Sequence, residues 1–515
     1  MRRHNLQRWV NFRSGRTSFQ GHICPAVALS PQRCRSYGSA LSAMRRVAAL
    51  QSLQKSSRWP LVLANLPPIP LAPMPRRILY LSGTRADFGL MRQTLHAAAV
   101  HPGLEVAVAV TGMHLHPDYG HTVDDIEASG LRIAARIPSD VGARDGAGMT
   151  RAISQTLAGL APVLQAEQPD ALLLLGDRGE MLAGAIAALH LGVPSIHLHG
   201  GERSGTVDEP VRHAISKLAA LHFCATAQSR ERLITMGEDP QRVHVVGAPG
   251  LDDLSDARQL PREAALRALR AALARQAPLP NPPHAWGGGT DVAVRGFAPP
   301  PLVGEAGRGI RREHEAPFSP PPLVGEAGRG SLAERPYALV LFHPVVQEAD
   351  DAAAQTQALL DGLRAAGAGS AFSVVWLAPN ADAGSGHIEA LLRAQRWPGF
   401  HRITHLPRTD YLAALRHAAV LAGNSSSGII EAASLGTRVV NVGSRQNLRE
   451  RNANAVDVPL QASAIEAAVR QALALGPWPH PEANVYGDGH SAARIAHLLA
   501  TLPLSGDLLH KVNRY

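Results

Sequence analysis

Short apolar segments alternate with longer segments of helical periodicity from residue 74 onward. The apolar segments predict strands at Ile78–Ser82, Glu105–Val110, Leu131–Ile137, Ala171–Leu175, Ser195–His199 and Leu221–Ala225. Between them, the spacing of apolar residues predicts helices at Phe88–Ala99, Met149–Gln165 and Glu180–Leu191. Strands that are apolar along their whole length and alternate with helices are typical of a parallel sheet that is covered on both faces.

A second series of apolar segments occupies the other half of the chain, again with helices between its members. It predicts strands at Tyr337–Phe342, Ser373–Leu377, Ala419–Ala422 and Arg438–Val442. Two consecutive α/β sheets predict an α/β fold of two Rossmann-like domains that face each other. In such sheets the ligand lies at the carboxyl ends of the strands, so we expect the active site in the cleft between the domains.

Changes in composition divide the chain into segments with different predicted roles. These are a disordered basic leader (1–73), a first Rossmann-like domain (74–250), a linker helix region (251–275), a disordered insertion (276–335), a second Rossmann-like domain (336–489) and a C-terminal helix that packs back on the first domain (490–515). The leader has the composition of a transit peptide, or of translated upstream sequence before a start at Met74. The insertion contains PPPLVGEAGRG twice, which suits a tolerated surface connection.

The charge distribution excludes a basic groove for nucleic acid as an explanation of the net charge of +9. The leader holds 11 Lys and Arg and no acid, so the rest of the chain has 51 − 11 = 40 basic and 42 acidic residues. The basicity therefore belongs to the leader. Three cysteines predict neither a disulfide framework nor a zinc finger, and no apolar run reaches 18 residues. We expect a cytoplasmic protein with no nucleic-acid or membrane partner.

Three loops after strands of the first sheet carry candidate chemistry. In Gly83–Asp87, the glycine permits a tight turn and Arg85 supplies a forked cation for a diphosphate. In Gly176–Glu180, Asp177 and Arg178 form either a structural ion pair or a catalytic carboxylate and an anion clamp. The segment from His197 to His213 is the densest in polar residues.

This dense segment places His199 and Glu202 around a Gly-Gly turn, with Asp208 six residues further on. Strand alternation predicts His197 and His199 on one face of the sheet. A His-x-His pair with a glutamate resembles part of a zinc site, but a third ligand at a fixed spacing is lacking. We therefore predict no metal, and we assign the cluster to acid–base chemistry.

Loops of the second sheet supply the opposite side of the predicted cleft. Gly423–Gly428 begins a helix with three consecutive serines, of which Ser425 and Ser426 are candidate phosphate ligands, and Glu431 lies in that helix. Three further candidates come after other strands of this sheet, namely His343, Asn380 and Arg445.

Taken together, these motifs resemble those of the UDP-N-acetylglucosamine 2-epimerases, most closely the hydrolysing branch that makes precursors of sialic-acid-like sugars. The resemblance rests on GTRADFG, VTGMH, LGDR, HLHGGE, DEPVRHAISKLA, GNSSSG and VYGDG, which occur in the family's order and span about residues 76–503. It implies a GT-B arrangement of the two domains, an active site between them and no cofactor. It also implies a homodimer or homotetramer.

The resemblance also implies roles for individual residues. The expected contacts to the UDP-sugar are Arg85, Arg178, His343, Asn380, Ser425, Ser426, Glu431 and Arg445. The expected catalytic residues are Asp177, His199, Glu202, Asp208 and His343. In the family's reaction, C2 loses a proton while UDP leaves C1, and water then adds to the resulting glycal as C2 regains a proton on its other face. Our hypothesis makes Asp208 or Asp177 the base and His199 or Glu202 the opposing acid.

Four other functions are compatible with parts of the pattern. A non-hydrolysing epimerase would return UDP to the glycal, and a GT-B glycosyltransferase would share the UDP loops but need no carboxylates around C2. A UDP-sugar-binding protein without activity would result if the insertion distorted the domain linker. A nucleic-acid-binding module would depend on the leader and would bind in a salt-sensitive manner.

Overall fold

The structure is a computed structural model that describes residues 74–143, 145–275, 332, 335–367, 372–504 and 506–514. The predicted leader and nearly all of the predicted insertion lie outside the described residues. Two sheets and the helices around them make up most of the part of the chain that the structure describes.

The first sheet has seven parallel strands in the order β3-β2-β1-β4-β5-β6-β7. Its strands are β1 (Arg76–Ser82), β2 (Leu104–Thr111), β3 (Arg132–Ile137), β4 (Ala171–Leu175), β5 (Ser195–Leu198), β6 (Leu221–Cys224) and β7 (Val243–Val245). The central strand β4 is buried at every position, as its sequence ALLLL requires. The order reverses between β1 and β4, and at such a point the two strand ends diverge and leave a crevice for a ligand.

Eight helices lie in the described residues of this half of the chain, and the last two of them form the linker and pack against the helix Arg408–Arg416 of the other half. The eight are α1 (Arg85–Ala99), α2 (Val123–Ala128), α3 (Gly146–Glu167), α4 (Gly179–His190), α5 (Asp208–Leu218), α6 (Ala227–Thr235), α7 (Leu254–Gln259) and α8 (Arg262–Arg275). Helices α1 and α4 begin just after strands β1 and β4, and α5 follows β5 after a longer loop. The first residues of all three helices lie beside the crevice. The side chains of Thr84 and Asp87 form a reciprocal capping box at the start of α1, which satisfies backbone N–H groups that the helix leaves free.

The second sheet has six parallel strands in the order β10-β9-β8-β11-β12-β13. Its strands are β8 (Tyr337–Leu341), β9 (Ser373–Leu377), β10 (Phe400–Ile403), β11 (Val420–Gly423), β12 (Val439–Val442) and β13 (Ala455–Val458). The helices after its first strand are α9 (Ala352–Gly367), α10 (Ser385–Ala394), α11 (Arg408–Arg416), α12 (Ser426–Ile430), α13 (Ala462–Leu475) and α14 (Ser491–Thr501). Two parallel sheets flanked by helices confirm the predicted α/β fold class.

The sequence missed three strands, and all three lie at a sheet edge. Strand β7 has three residues, β10 is half-buried at most positions, and the middle residues of β13 are exposed. An edge strand need not be apolar on both faces, so a search for continuous apolar runs passes over it.

The chain returns to the first sheet through its C-terminal residues. Helix α14 packs against α1, and the Arg76 guanidinium donates to the carbonyl oxygens of Leu499 (2.8 Å) and Leu502 (2.5 Å). The Asp252 carboxylate accepts from the backbone N–H and the hydroxyl of Ser491 at the start of α14 (2.7 and 2.6 Å). The linker after the first sheet and the last helix thus hold each other in place.

A buried carboxylate anchors the segment that comes after α14. Glu238 accepts from His222 (2.9 Å) and pairs with Lys217 (2.8 Å) and Lys511 (2.6 Å). Lys511 also donates to three carbonyl groups at the C-terminal end of helix α5 (each 2.9 Å). Burial opposes ionisation of Glu238, but the three partners lower its pKa to about 2. The last described residues therefore cap the helix that carries Asp208.

No helix in the part of the chain that the structure describes has the length and apolar character needed to cross a membrane.

We predict that Glu238→Gln lowers the free energy of unfolding by about 2 kcal/mol at neutral pH, because the partly buried Lys217 and Lys511 lose their charged hydrogen-bond partner. A carboxyl whose pKa is lowered by folding stabilises the protein above its unfolded pKa, and the contribution is lost as the pH falls towards the folded pKa. The difference in Tm between wild type and variant should therefore be full above about pH 4.5 and shrink towards pH 2. Thermal unfolding across that range measures it, with Glu231→Gln, on an exposed part of α6, as the control. A Tm difference that stayed constant with pH would contradict the assignment.

Candidate active site

A cleft of about 860 Å³ lies between the carboxyl ends of the two sheets. Strand-end loops of both sheets line it, as the alternation of strands and helices predicts. Every predicted site residue lines this cleft except Glu202, which lies behind its wall. The sequence therefore predicted where the cleft lies, and it predicted which strand-end residues line it, with the exception of Glu202.

The loop after β1 is held in shape by a buried aspartate. The Asp87 carboxylate accepts from the backbone N–H groups of Gly83 (3.0 Å) and Thr84 (2.7 Å) and from the Tyr80 hydroxyl (3.1 Å). The loop directs Arg85 across the cleft, where it donates to the carbonyl oxygen of Thr404 (2.8 Å). Arg85 therefore connects the first sheet to the loop after β10.

Two carboxyl groups whose pKa values are shifted in opposite directions face the cleft from the first sheet. Burial opposes ionisation of Asp177, but the guanidiniums of Arg212 and Arg449 outweigh it and its pKa is lowered. Burial and the charge of Asp177 raise the pKa of Asp208, although Arg445 lies 3.4 Å away and acts in the other direction. Asp177 is thus held as a carboxylate, whereas Asp208 binds a proton more readily than an ordinary aspartate. Such a divided pair is suited to acid–base chemistry.

The third group from the first sheet is His199, which bonds through Nδ1 to the Oε1 atom of Glu202. The other carboxylate oxygen of Glu202 lies 2.5 Å from Nη1 of Arg449. Burial opposes ionisation of Glu202, but Arg449 and His199 lower its pKa, so that it is ionised and accepts the Nδ1 proton. No residue in the described part of the chain bonds to Nε2 of His199, and this nitrogen is left to exchange a proton in the cleft.

The prediction that His197 and His199 share one face is wrong. Strand β5 ends at Leu198, and His199 has a left-handed backbone (φ +61°), which turns its side chain away from the strand direction. His197 is fully buried and bonds to the carbonyl oxygen of Gly176 (2.7 Å) and the hydroxyl of Ser216 (2.9 Å). Burial lowers the pKa of His197 to about 3, so it is a neutral structural residue.

A histidine of the second sheet faces the cleft in a defined tautomer. His343 Nδ1 accepts the backbone N–H of Asn380 (3.2 Å), and the His343 backbone N–H donates to the side chain of Asn424 (2.7 Å). Burial and the charges of Arg445, Arg85 and Arg178 hold the pKa of His343 well below its usual value. A neutral imidazole whose Nδ1 is an acceptor carries its proton on Nε2. His343 can therefore donate a hydrogen bond but is poorly suited to supply a proton as an imidazolium.

The serine-rich turn after β11 faces these groups from the second sheet. Ser425 caps helix α12 by accepting the backbone N–H of Ser427 (3.3 Å), and Ser426 lines the cleft. Helix α12 has only five residues, so the hydroxyls and the nearby Arg445 supply most of the anion-binding character. Arg445 donates to the carbonyl oxygen of Asn424 (3.3 Å), which ties it to this turn.

Ion pairs cross the cleft or close its far end. Arg178 of the first sheet pairs with Asp382 of the second (3.2 Å), and Asn380 also bonds to Asp382. At the other end, Arg408 bonds to Asp253 through two nitrogens (each 3.0 Å) and pairs with Glu431. Burial raises the pKa of Glu431, with Arg408 acting in the opposite direction.

Sequence reasoning assigned no role to four charged residues that shape the site, although it placed the first two in candidate motifs: Arg212, Asp382, Arg408 and Arg449. Arg212 is fully buried in helix α5, four residues after Asp208, so its position one turn from a candidate acid was a usable signal. Arg449 lies four residues after Arg445 in an irregular segment, and nothing in the local pattern separates it from a surface arginine. Among the residues that the structure describes, no three His, Cys, Asp or Glu side chains group as metal ligands.

Comparisons with known proteins place the chain among sugar-nucleotide enzymes. The family model described as UDP-N-acetylglucosamine 2-epimerase matches residues 96–278 and 323–500. The chain is 39% identical, over 86% of its length and all of the relative's, to "UDP-N,N'-diacetylbacillosamine 2-epimerase (hydrolyzing)" of Legionella pneumophila. It is 28% identical, over 76% of its length and 84% of the relative's, to "Polysialic acid biosynthesis protein P7" of Escherichia coli.

A solved structure shares the fold. The UDP-GlcNAc 2-epimerase of Neisseria meningitidis, bound to UDP-GlcNAc, superposes with a TM-score of 0.58 over 82% of this chain and 99% of that one, at 16% sequence identity. This likeness confirms the expected GT-B arrangement of two Rossmann-like domains.

We predict that Gly423→Ala disrupts the turn that carries Ser425 and Ser426. Gly423 has φ +128°, and an added Cβ would collide with the carbonyl oxygen of Leu341. The backbone strain alone is about 1–3 kcal/mol. Gly386→Ala in helix α10 is the matched control, since a Cβ there meets open space and alanine favours the helix. Thermal unfolding should show a lower Tm for Gly423→Ala and an equal or higher Tm for Gly386→Ala; equal Tm values for the two variants would contradict this account of the turn.

Proposed function

This chain belongs to the UDP-N-acetylglucosamine 2-epimerase family, and from that premise we propose that it hydrolyses a UDP-linked 2-acetamido sugar to UDP and the C2 epimer of the free sugar. One observation carries the proposal: two carboxyl groups with divided pKa values, Asp177 and Asp208, share a cleft with the open Nε2 of His199 and face Ser425, Ser426 and Arg445. Epimerisation at C2 needs one group to remove a proton and a second group to return it on the other face.

In the first half-reaction we assign the base to Asp208. Its carboxylate takes the proton from C2, the C2–H electron pair forms a double bond to C1, and the C1–O bond breaks with its electrons passing to UDP. Asp177 stays ionised beside it, and burial together with the charge of Asp177 gives Asp208 the higher proton affinity that a base in this position needs.

In the second half-reaction we assign the acid to His199. Its protonated ring gives the Nε2 proton to C2 from the other face, while the oxygen of a water molecule bonds to C1. The proton displaced from water restores His199, and the proton on Asp208 leaves to solvent with UDP. Glu202 supports this step from behind His199, because its ionised carboxylate accepts the Nδ1 proton and holds the ring in one orientation.

The second sheet holds the leaving group in this proposal. Arg445, the hydroxyls of Ser425 and Ser426, and the neutral Nε2–H of His343 supply donors for the diphosphate, whose charge grows as the C1–O bond breaks. Arg85, Arg178, Asn380 and Glu431 line other parts of the cleft and complete the predicted set of contacts to the UDP-sugar. His343 acts here as a hydrogen-bond donor and not as a proton donor.

For the sugar we propose a 2,4-diacetamido-2,4,6-trideoxy hexose ahead of N-acetylglucosamine. The relative at 39% identity is named for such a substrate. Apolar side chains also line part of the cleft, among them Met113, Met149 and Ile153. An apolar wall suits a 6-methyl group better than a hydroxyl, which would lose its hydrogen bonds to water. The released 2-epimer would serve as a precursor of sialic-acid-like sugars.

Product analysis by proton and phosphorus NMR tests the proposal. Purified protein with UDP-N,N'-diacetylbacillosamine should release UDP and the free C2-epimeric sugar, and UDP-N-acetylglucosamine should be turned over more slowly. An epimeric UDP-sugar in place of free sugar would identify the non-hydrolysing reaction. Unchanged spectra with both substrates, from protein that binds UDP, would overturn the enzymatic assignment.

We predict that Asp208→Asn lowers kcat by about 10²–10⁴-fold, the range contributed by a positioned acid or base. Because the nucleotide is held mainly by the second sheet, Kd for UDP should stay unchanged in isothermal titration calorimetry. Asp361→Asn, at an exposed position of helix α9, is the control and should keep wild-type activity. Near-normal turnover by Asp208→Asn would show that another group is the base.

Asp177→Asn should also lower kcat, and its residual activity should have an altered pH profile. The charge of Asp177 raises the pKa of Asp208. Removing that charge lowers the pKa of Asp208, and the base stays ionised to lower pH. The acid limb of kcat/KM should therefore move to lower pH in the variant. A limb that stayed in place or moved to higher pH would contradict the coupling.

A further inference from the structure

Arg449 joins the two sheets at the point where the proposed acid is held. It belongs to the segment after β12 of the second sheet, whereas Glu202, His199 and Asp177 belong to the first. Its Nη1 atom lies 2.5 Å from Glu202, and its Nη2 atom lies 3.8 Å from Asp177. Both terminal nitrogens thus face carboxylates of the opposite sheet.

We propose that Arg449 is a positioning residue: when the two sheets close over the cleft, its guanidinium fixes the Glu202 carboxylate, which holds His199 with Nε2 directed at the substrate. The inference rests on the proposed function. Arg449 would act on the proposed acid, His199, through Glu202. It belongs to the second domain, whereas His199 and Glu202 belong to the first.

The first sheet alone fixes the backbone around His199 but not the side chain of Glu202. The His199 backbone N–H donates to the carbonyl oxygen of Phe223 (3.1 Å), and Arg212 donates to the carbonyl oxygen of Glu202 (3.0 Å). On the Glu202 carboxylate, Oε1 bonds to His199 and Oε2 meets Arg449. A buried carboxylate without a cation partner is strongly disfavoured, and Arg449 contributes most to keeping Glu202 ionised, ahead of His199 and Arg212.

The ionisation of Glu202 determines which ring nitrogen of His199 carries the proton. An ionised Glu202 can only accept, so Nδ1 is the donor and Nε2 faces the cleft ready to exchange a proton. Without Arg449, the Glu202 carboxyl gains proton affinity and becomes the donor to Nδ1. Neutral His199 then carries its remaining proton on Nε2 and has no lone pair there to collect the proton displaced from water.

Direct binding of the diphosphate is the other role open to an arginine that lines the cleft. Both terminal nitrogens of Arg449 already face carboxylates, and Asp177 and Glu202 would repel a phosphate brought to the same place. Arg445 differs, since only its Nη2 faces a carboxylate, that of Asp208 at 3.4 Å, and its Nη1 donates to the carbonyl oxygen of Asn424 beside the serine turn. The geometry therefore assigns the phosphates to Arg445 and the acid to Arg449.

Arg449→Met tests this assignment, with Arg449→Lys as the conservative variant and Arg438→Met as the matched control. Arg438 is also a half-buried arginine of the second sheet, but it bonds to the carbonyl oxygen of Gly476 (2.7 Å) and lies over the ring of Trp478, away from the cleft. Kd for UDP, kcat and the products seen by NMR are measured for each variant. Wild-type protein run in parallel tests the proposed function separately.

We expect Arg449→Met to lower kcat by about 10²-fold, the loss typical of a misplaced catalytic group, with Kd for UDP unchanged. Because Asp208 still removes the C2 proton while its return from His199 fails, the glycal with its C1=C2 double bond should be released with UDP. Arg449→Lys should restore part of kcat. Adding Glu202→Gln to Arg449→Met should cost little more, since both changes break the same connection.

Wild-type kcat in Arg449→Met would overturn the proposal, and a Kd for UDP weakened as much as kcat would make Arg449 a phosphate ligand. A lower kcat without glycal, accompanied by a lower Tm, would show a structural role only. A measurement independent of turnover is the nitrogen-15 NMR signal of His199, assigned with His199→Gln. Neutral His199 should carry its proton on Nδ1 in wild type and on Nε2 in Arg449→Met, and an unchanged tautomer would contradict the inference.

Discussion

The need of buried carboxylates for cations organises this protein. Asp177 and Glu202 lie at the carboxyl ends of the first sheet, where burial alone would protonate them, and Arg212 and Arg449 keep them ionised. One of these arginines comes from a helix of the first sheet and the other from a loop of the second. Both carboxylates are therefore paired with cations only when the two sheets face each other. The approach of the sheets that forms the cleft also fixes the ionisation of the groups inside it.

The two sheets supply different kinds of functional group to the cleft. The first sheet presents two carboxyl groups with oppositely shifted pKa values, Asp177 lowered and Asp208 raised, and a histidine whose Nδ1 bonds to Glu202. The second presents hydrogen-bond donors, namely Arg445, the serine hydroxyls and His343, whose pKa is held well below its usual value by burial and by neighbouring arginines. Proton transfer and stabilisation of a leaving diphosphate are thereby assigned to opposite walls of one cleft. The ion pair between Arg178 of the first sheet and Asp382 of the second also connects the two walls.

Much of this arrangement was predictable from sequence because a parallel sheet brings the ends of its strands to one edge. A polar residue just after a buried apolar strand, such as Asp177 after Ala171–Leu175, must lie at the edge of the sheet that borders the cleft. Prediction failed where position depended on backbone turns or on distant partners. The left-handed turn at His199 separated it from His197, and the partners of Arg449 are more than 200 positions away in the chain. Edge strands were missed because polar residues at their exposed positions interrupt the run of apolar residues that predicts a strand.

The central claim is that C2 loses a proton to one wall-bound group and regains one from another. Turnover of the UDP-sugar in D2O, followed by proton NMR of the released sugar, tests it most directly. The account predicts that every molecule of free product carries one deuterium at C2, because the proton removed by Asp208 is replaced from the exchanged ring of His199. Free sugar that kept protium at C2 would show that the C2–H bond is never broken, and would contradict the account.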